Sequence, residues 1–324
     1  MNSRDLDDEN IKYVETGIQW TDSQSLINSY DPTIEIREAI KEPITYQNKV
    51  KYDIISVSRS ELESHINDVD IVLLTATEVE KNAAFKYLKP LNQNAKKIIR
   101  GYGNDLTYFV GCFGVYKVVL LMTNKTGAVQ RDAIMLASYE AFKFWSPKIA
   151  ISCGIAFGLK EEDQKLGDVL ISEKVIPYSI RKIGPGSKFE FRGSIAESSS
   201  ILINRLKNET GWHFPLEDGG ASEKKFGPIL SGEILFNDIE SINQLKSDFP
   251  TAIGGEMEAL GLYATSSKCG VEWITIKGIC DWGYNKSDSY QEESALAALS
   301  LIHHILNDRF VFEELEISPI CSEE

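Results

Sequence analysis

The chain has 324 residues, 43% of them hydrophobic and 10% aromatic, which suits one large buried core with an appendage and excludes global disorder. A formal charge of −14 argues against nucleic-acid binding by phosphate neutralisation, although a local basic loop can still hold a small anion. Five cysteines without a CxxC, four histidines without an HExxH, and no signal-like or membrane-length apolar run predict a cytoplasmic, metal-free protein with free thiols.

Residues 1–68 are polar and acid-rich, broken only by short apolar bursts. They read either as an ordered appendage on the main domain or as a partner-binding or assembly segment. At Val69 the texture changes. The run Val69 to Leu74 is a short buried strand, and a helix from about Glu78 to Tyr87 follows, stopped by Pro90. Thr77 and Glu80 have capping-box spacing, which by itself is a structural role for Glu80. A hairpin-like pair (97–102, 106–113) and a strand (117–123) lead to a helix expected over 129–145.

Lys148 to Ser152 predicts another buried strand, entering the small-residue turn Cys153-Gly154-Ile155-Ala156-Phe157-Gly158-Leu159, where backbone can approach a ligand closely. After the strand at 166–172, Arg181 to Phe189 is a basic, glycine-broken loop whose plain reading is a solvated surface loop. A helix at 198–210, a strand running into Ser231-Gly232-Glu233, the apolar pair Leu235-Phe236 and a helix at 239–248 complete this half.

The stretch 252–283 organises the rest. Glu256 and Glu258 stand at the mouth of an Ala/Leu-rich helix, and the largely apolar strand 271–279 stops on Cys280 and Asp281. Ligands in α/β sheets bind where strands end and helices begin, so acids from both places are expected to face one pocket. A final helix from Ser289 to about Leu306, with a capping box at Ser289 to Glu292, precedes an acidic tail at 311–324. Alternating strands and helices indicate an α/β fold with a central mixed sheet flanked by helices.

Four landmarks, TATEVE at 75–80, CGIAFGL with LGDVLIS at 153–172, SGEILF at 231–236 and GGEMEALG with KGICDWG at 254–283, occur together and in order. Over about Val69 to Leu306 the chain resembles the nucleoside phosphorylase family, in its nucleosidase branch typified by 5′-methylthioadenosine/S-adenosylhomocysteine nucleosidase. The resemblance implies a three-layer nucleoside-phosphorylase-like domain at 69–310, homo-oligomers, and N-glycosidic cleavage without metal or organic cofactor. It implies that Glu258, within Glu256-Met257-Glu258, accepts from the ribose hydroxyls, that Asp281 is the general acid at the purine, and that Glu80 orients and deprotonates water. Leu235 and Phe236 would line the base site, with Gly154, Ile155 and Phe157 on the sugar side. Taken singly, each acid has an ordinary structural role: a cap, a turn, or a first-turn acid favoured by the helix dipole.

The same resemblance separates hydrolysis from phosphorolysis. Family phosphorylases carry one arginine in the first strand-turn and another on the central strand. Here the first turn has none and the central position falls on Ser152, so bidentate phosphate donors are lacking and water is the expected nucleophile. Ile155 and Phe157 depart from the usual small or polar residues. The segment after Asp281 resembles nucleosidase effector domains of antiviral defence systems, for which the implied substrate is a purine nucleotide such as ATP. Arg181, Lys182, Lys188 and Arg192 would then hold the 5′-phosphates, and residues 1–68 a protein partner. The alternatives are a housekeeping methylthioadenosine/S-adenosylhomocysteine nucleosidase, a phosphorylase, and an inactive nucleotide-sensing scaffold.

Overall fold

The computed structural model describes residues 52–91, 96–184 and 189–321. Its framework is an eleven-stranded mixed sheet. Strand β1 (Asp53–Ser56) and helix α1 (Arg59–Glu63) precede β2 (Ile71–Thr75) and α2 (Glu78–Phe85). Then come β3 (Lys97–Gly103), β4 (Leu106–Phe113), β5 (Tyr116–Met122), α3 (Ile134–Trp145), β6 (Ile149–Gly158) and β7 (Val169–Pro177). The second half holds β8 (Arg181–Ile183), β9 (Phe189–Phe191), β10 (Ala196–Glu197), α4 (Ser200–Asn208), β11 (Lys224–Ser231) and α5 (Ile239–Asp248). It ends with β12 (Gly254–Glu256), α6 (Ala259–Cys269), β13 (Glu272–Asp281) and α7 (Gln291–Ile305).

The continuous apolar run of β2 is explained by two-sided burial, because side chains alternate faces along a strand. Ile71 and Leu73 enter one cluster with α2 and α7, whereas Val72 and Leu74 enter another with α3 and α6. The result is helix, sheet, helix: the three layers that the resemblance implies. Strand β13 pairs parallel to β6 and antiparallel to β7, while β7, β11, β12 and β6 pair in succession. Those five strands therefore close into a ring, which removes sheet edges at that end and holds the tips of β6, β12 and β13 near one another.

Several local expectations change. β1 pairs parallel with β3, so 53–56, placed by sequence in the appendage, joins the main sheet; residues 1–51 lie outside the described residues. The helix expected from 129 begins at Ile134, because 124–133 form a loop with Gly127 and Asp132 at positive φ. Helix α7 starts at Gln291 behind a 3-10 turn, and its cap position, Tyr290, makes no side-chain capping bond. The basic loop is a two-stranded hairpin of β8 and β9.

The tail is packed as far as 321. Val311, Phe312 and Ile317 are buried, and the amides of Ile320 and Cys321 donate to the Val115 carbonyl. Cys321 is disulfide-bonded to Cys112, whereas Cys153, Cys269 and Cys280 are free. The expectation of five free thiols is thus corrected for two of them. A pairing across 209 residues has no local spacing signal.

Candidate active site

The site forms where β2 and β12 run into α2 and α6, beside β6 and β13. Thr77 caps α2 and receives the Glu80 amide, while Glu80 Oε2 accepts from the amides of Ala76 (2.7 Å) and Thr77 (2.9 Å). The capping box is real, yet it uses only one carboxylate oxygen. Oε1 turns inward to accept from the Ile155 amide (2.9 Å) and the Lys277 ammonium (3.3 Å). This approach demands glycine at 154. Gly154 has φ +148°, and a Cβ there would lie 1.7 Å from Glu80 Oε1.

Glu258 opens α6. One of its oxygens accepts from the Gly127 amide (3.0 Å) and the other meets Lys277 (3.4 Å). Lys277, paired in register with Gly154 across β13 and β6, therefore bridges the two acids from inside the sheet. Its side chain is 1% exposed. Burial disfavours its charge, but Glu80, Glu258 and Glu256 outweigh that penalty and hold it protonated. The sequence reading passed over this lysine inside an apolar strand. A lone lysine in a strand buried on both faces needs carboxylate partners, and that requirement was the available signal.

Glu256 sits beneath the pair and accepts from the amides of Glu258 (2.9 Å) and Ala259 (2.9 and 3.1 Å). Burial first, and Glu258 second, push its carboxyl up from 4.5 to about 7, against the opposing pull of Lys277, the Glu258 amide and Ser231. The folded protein thus binds a proton that the unfolded chain releases between those values. Stability from this group is present at the acid end and lost as pH rises through the window. Urea unfolding should show a decline on the order of 1–3 kcal/mol from about pH 5 to about pH 8, which Glu256→Gln flattens. An unchanged slope in that variant would assign the decline to other groups.

Asp281 ends β13. It accepts from the Gly283 amide (2.6 Å) and the Cys280 thiol (3.3 Å) and lies 3.5 Å from the Lys286 ammonium. Its register partner on β6 is Phe157, whose ring meets Phe236 edge-on at 5.9 Å, and Phe236 in turn packs on Tyr178 at 5.7 Å. An acid and an aromatic wall are thereby juxtaposed. Leu235, expected to line the same wall, is 72% exposed and is not part of this cluster. Met257 is half-buried.

The basic residues lie on the β8–β9 hairpin. Arg181 approaches Asp248 at 3.5 Å, Arg192 pairs with Glu190 at 2.8 Å, Lys182 is exposed, and Lys188 lies outside the described residues. No cluster of potential metal ligands occurs among the described residues.

A family model described as the phosphorylase superfamily matches residues 70–307. Among curated relatives, a death domain-containing ATP nucleosidase of Amphimedon queenslandica is 26% identical over 89% of this chain and 55% of its own length. An ATP nucleosidase of Escherichia coli is 27% identical over 70% of this chain and 49% of its own length. The chain spans about half the length of both. A 5′-methylthioadenosine/S-adenosylhomocysteine nucleosidase of Haemophilus influenzae is 27% identical over 56% of the chain and 76% of its own length. The solved structure of the Neisseria meningitidis enzyme of that name superposes with a TM-score of 0.60 at 18% identity, covering 73% of this chain and 98% of that one.

Proposed function

The chain belongs to the phosphorylase superfamily, and from that premise we propose that it hydrolyses the N-glycosidic bond of adenine nucleotides, ATP above all, releasing adenine. The observation that carries the chemistry is Lys277 joining Glu80 to Glu258 on the strand that ends in Asp281. The names of the two ATP nucleosidases support the substrate.

Cleavage breaks the bond between C1′ and the purine nitrogen as the sugar becomes oxocarbenium-like. Asp281, beside the Phe157–Phe236 wall, supplies a proton or hydrogen bond to the departing purine. Glu258 accepts from the ribose hydroxyls, its charge balanced by Lys277. Glu80 Oε1 receives the attacking water and takes its proton as oxygen bonds to C1′. Lys277 keeps two like-charged carboxylates together in a dry site, a geometry that their mutual repulsion would otherwise open.

Nucleotide depletion in antiviral defence, action in the cytoplasm, self-association and a protein partner for the N-terminal residues that precede β1 complete the proposal. Among the described residues no helix is long and apolar enough to cross a membrane. The test is base release followed by chromatography with ATP, AMP, adenosine and methylthioadenosine, each with and without phosphate. Adenine from ATP without phosphate is expected. Cleavage of methylthioadenosine alone would favour the housekeeping reading, a strict phosphate requirement would favour phosphorolysis, and no cleavage of any substrate would favour the scaffold.

A further inference from the structure

The loop between β5 and α3 presents three successive backbone amides to two carboxylates. Gly127 donates to Glu258 (3.0 Å), and Ala128 (2.7 Å) and Val129 (3.2 Å) donate to the same oxygen of Glu233. Gly127 has φ +99°, a backbone conformation that favours glycine, so the concavity depends on glycine. A run of amides converging in this way binds anions. The run starts at buried Glu258 and passes outward to Val129, which is 61% exposed. Lys125 and Arg131 flank it on the same loop, both exposed.

The two carboxylates differ in kind. Glu258 is buried and fixed by Lys277, whereas Glu233 lies on an exposed turn and can swing into solvent without burying an unpaired charge. The turn itself stays anchored when Glu233 leaves, because the Gly232 amide donates to the Glu256 carbonyl and the Ile234 amide to the Tyr178 hydroxyl. The Glu233 carboxylate thus competes for an anion site that adjoins the ribose acid.

We propose that the amides of Ala128 and Val129, with Lys125 and Arg131, receive the 5′-phosphate chain of the nucleotide, and that Glu233 is the group the phosphates displace. This rests on Glu258 as the ribose acid and relocates the phosphates from the β8–β9 hairpin, where Arg181 and Arg192 lie 3.5 and 2.8 Å from carboxylates, closer than the 3.9 Å between Arg131 and Asp132. A nucleoside without phosphates has no anion with which to displace Glu233. The device therefore discriminates nucleotides from nucleosides at the sugar's far end.

The test is calorimetric binding of inorganic tripolyphosphate to the full chain at fixed ionic strength, which requires no cleavage. Glu233→Gln keeps an acceptor for the amides but removes the competing charge, and it should tighten tripolyphosphate binding roughly tenfold, the difference expected for a charge-assisted over a neutral bond. The double variant Lys125→Glu/Arg131→Glu should weaken it by at least about tenfold, whereas Arg181→Glu/Lys182→Glu should leave it unchanged. In base-release assays Glu233→Gln should lower the KM for ATP and not that for adenosine. No tripolyphosphate binding, an unchanged affinity in Glu233→Gln, or a loss confined to the Arg181/Lys182 variant would overturn the assignment. Tripolyphosphate binding that follows these variants in a protein that releases no adenine would retain the phosphate site and sink the hydrolase reading.

Discussion

Asp281→Asn should lower adenine release by ~10²–10⁴-fold while leaving nucleotide affinity nearly intact, since proton transfer to a leaving group contributes about that much. The substitution is close to isosteric. Asparagine can still accept from the Gly283 amide, which donates to Asp281 at 2.6 Å, so the β13 terminus and its register against Phe157 are preserved. What disappears is the ionisable oxygen that faces Lys286 and the Cys280 thiol. Single-turnover base release and calorimetric affinity for ATP, measured on the same preparation, separate the two effects. Undiminished turnover would remove Asp281 from the chemistry, and a parallel loss of binding would make it a binding group.

Lys277→Met should destabilise the fold by about 3–5 kcal/mol, the usual consequence of leaving buried charge without its partner. Methionine nearly fills the volume, so the loss reports electrostatics rather than a cavity. Glu80 and Glu258 would then face each other across a space without a cation, while Glu80 keeps its three amide donors and Glu258 its one. Adding Glu80→Gln to Lys277→Met should recover part of the loss, because the residues act as a unit. A deficit below about 1 kcal/mol by urea unfolding would mean that the bridge contributes little to stability and that Lys277 serves the site alone.

Each acid of this site has a local signature, although the one at Glu80 is that of a helix cap and its place in the site was implied only by the family resemblance. Thr77 and Glu80 have cap spacing, Glu256 and Glu258 precede an apolar helix, and Asp281 closes an apolar strand. The β-ring was not legible, since nothing local states that β13 lies between β6 and β7. The loop at 124–133 was hidden for a different reason. Its Ala and Val residues continue the composition of α3, but Gly127 has a positive φ, and the amides of Gly127 and Ala128 are taken by the distant acids Glu258 and Glu233. The C-terminal segment read only as an acidic tail because acidic residues separate its few apolar anchors, Val311, Phe312 and Ile317, which find their partners only on the assembled sheet.

By itself the sequence determined the α/β class, the order of its elements and the positions of the three acids, because strand and helix periods and caps are relations between residues a few positions apart. Only the tertiary structure decided that Lys277 joins Glu80, 197 positions away, to Glu258, that Gly127 serves Glu258 across 131 positions, and that Cys112 meets Cys321. Such partners are selected by desolvation and charge once strands are packed side by side, and neither force leaves a trace in spacing along the chain.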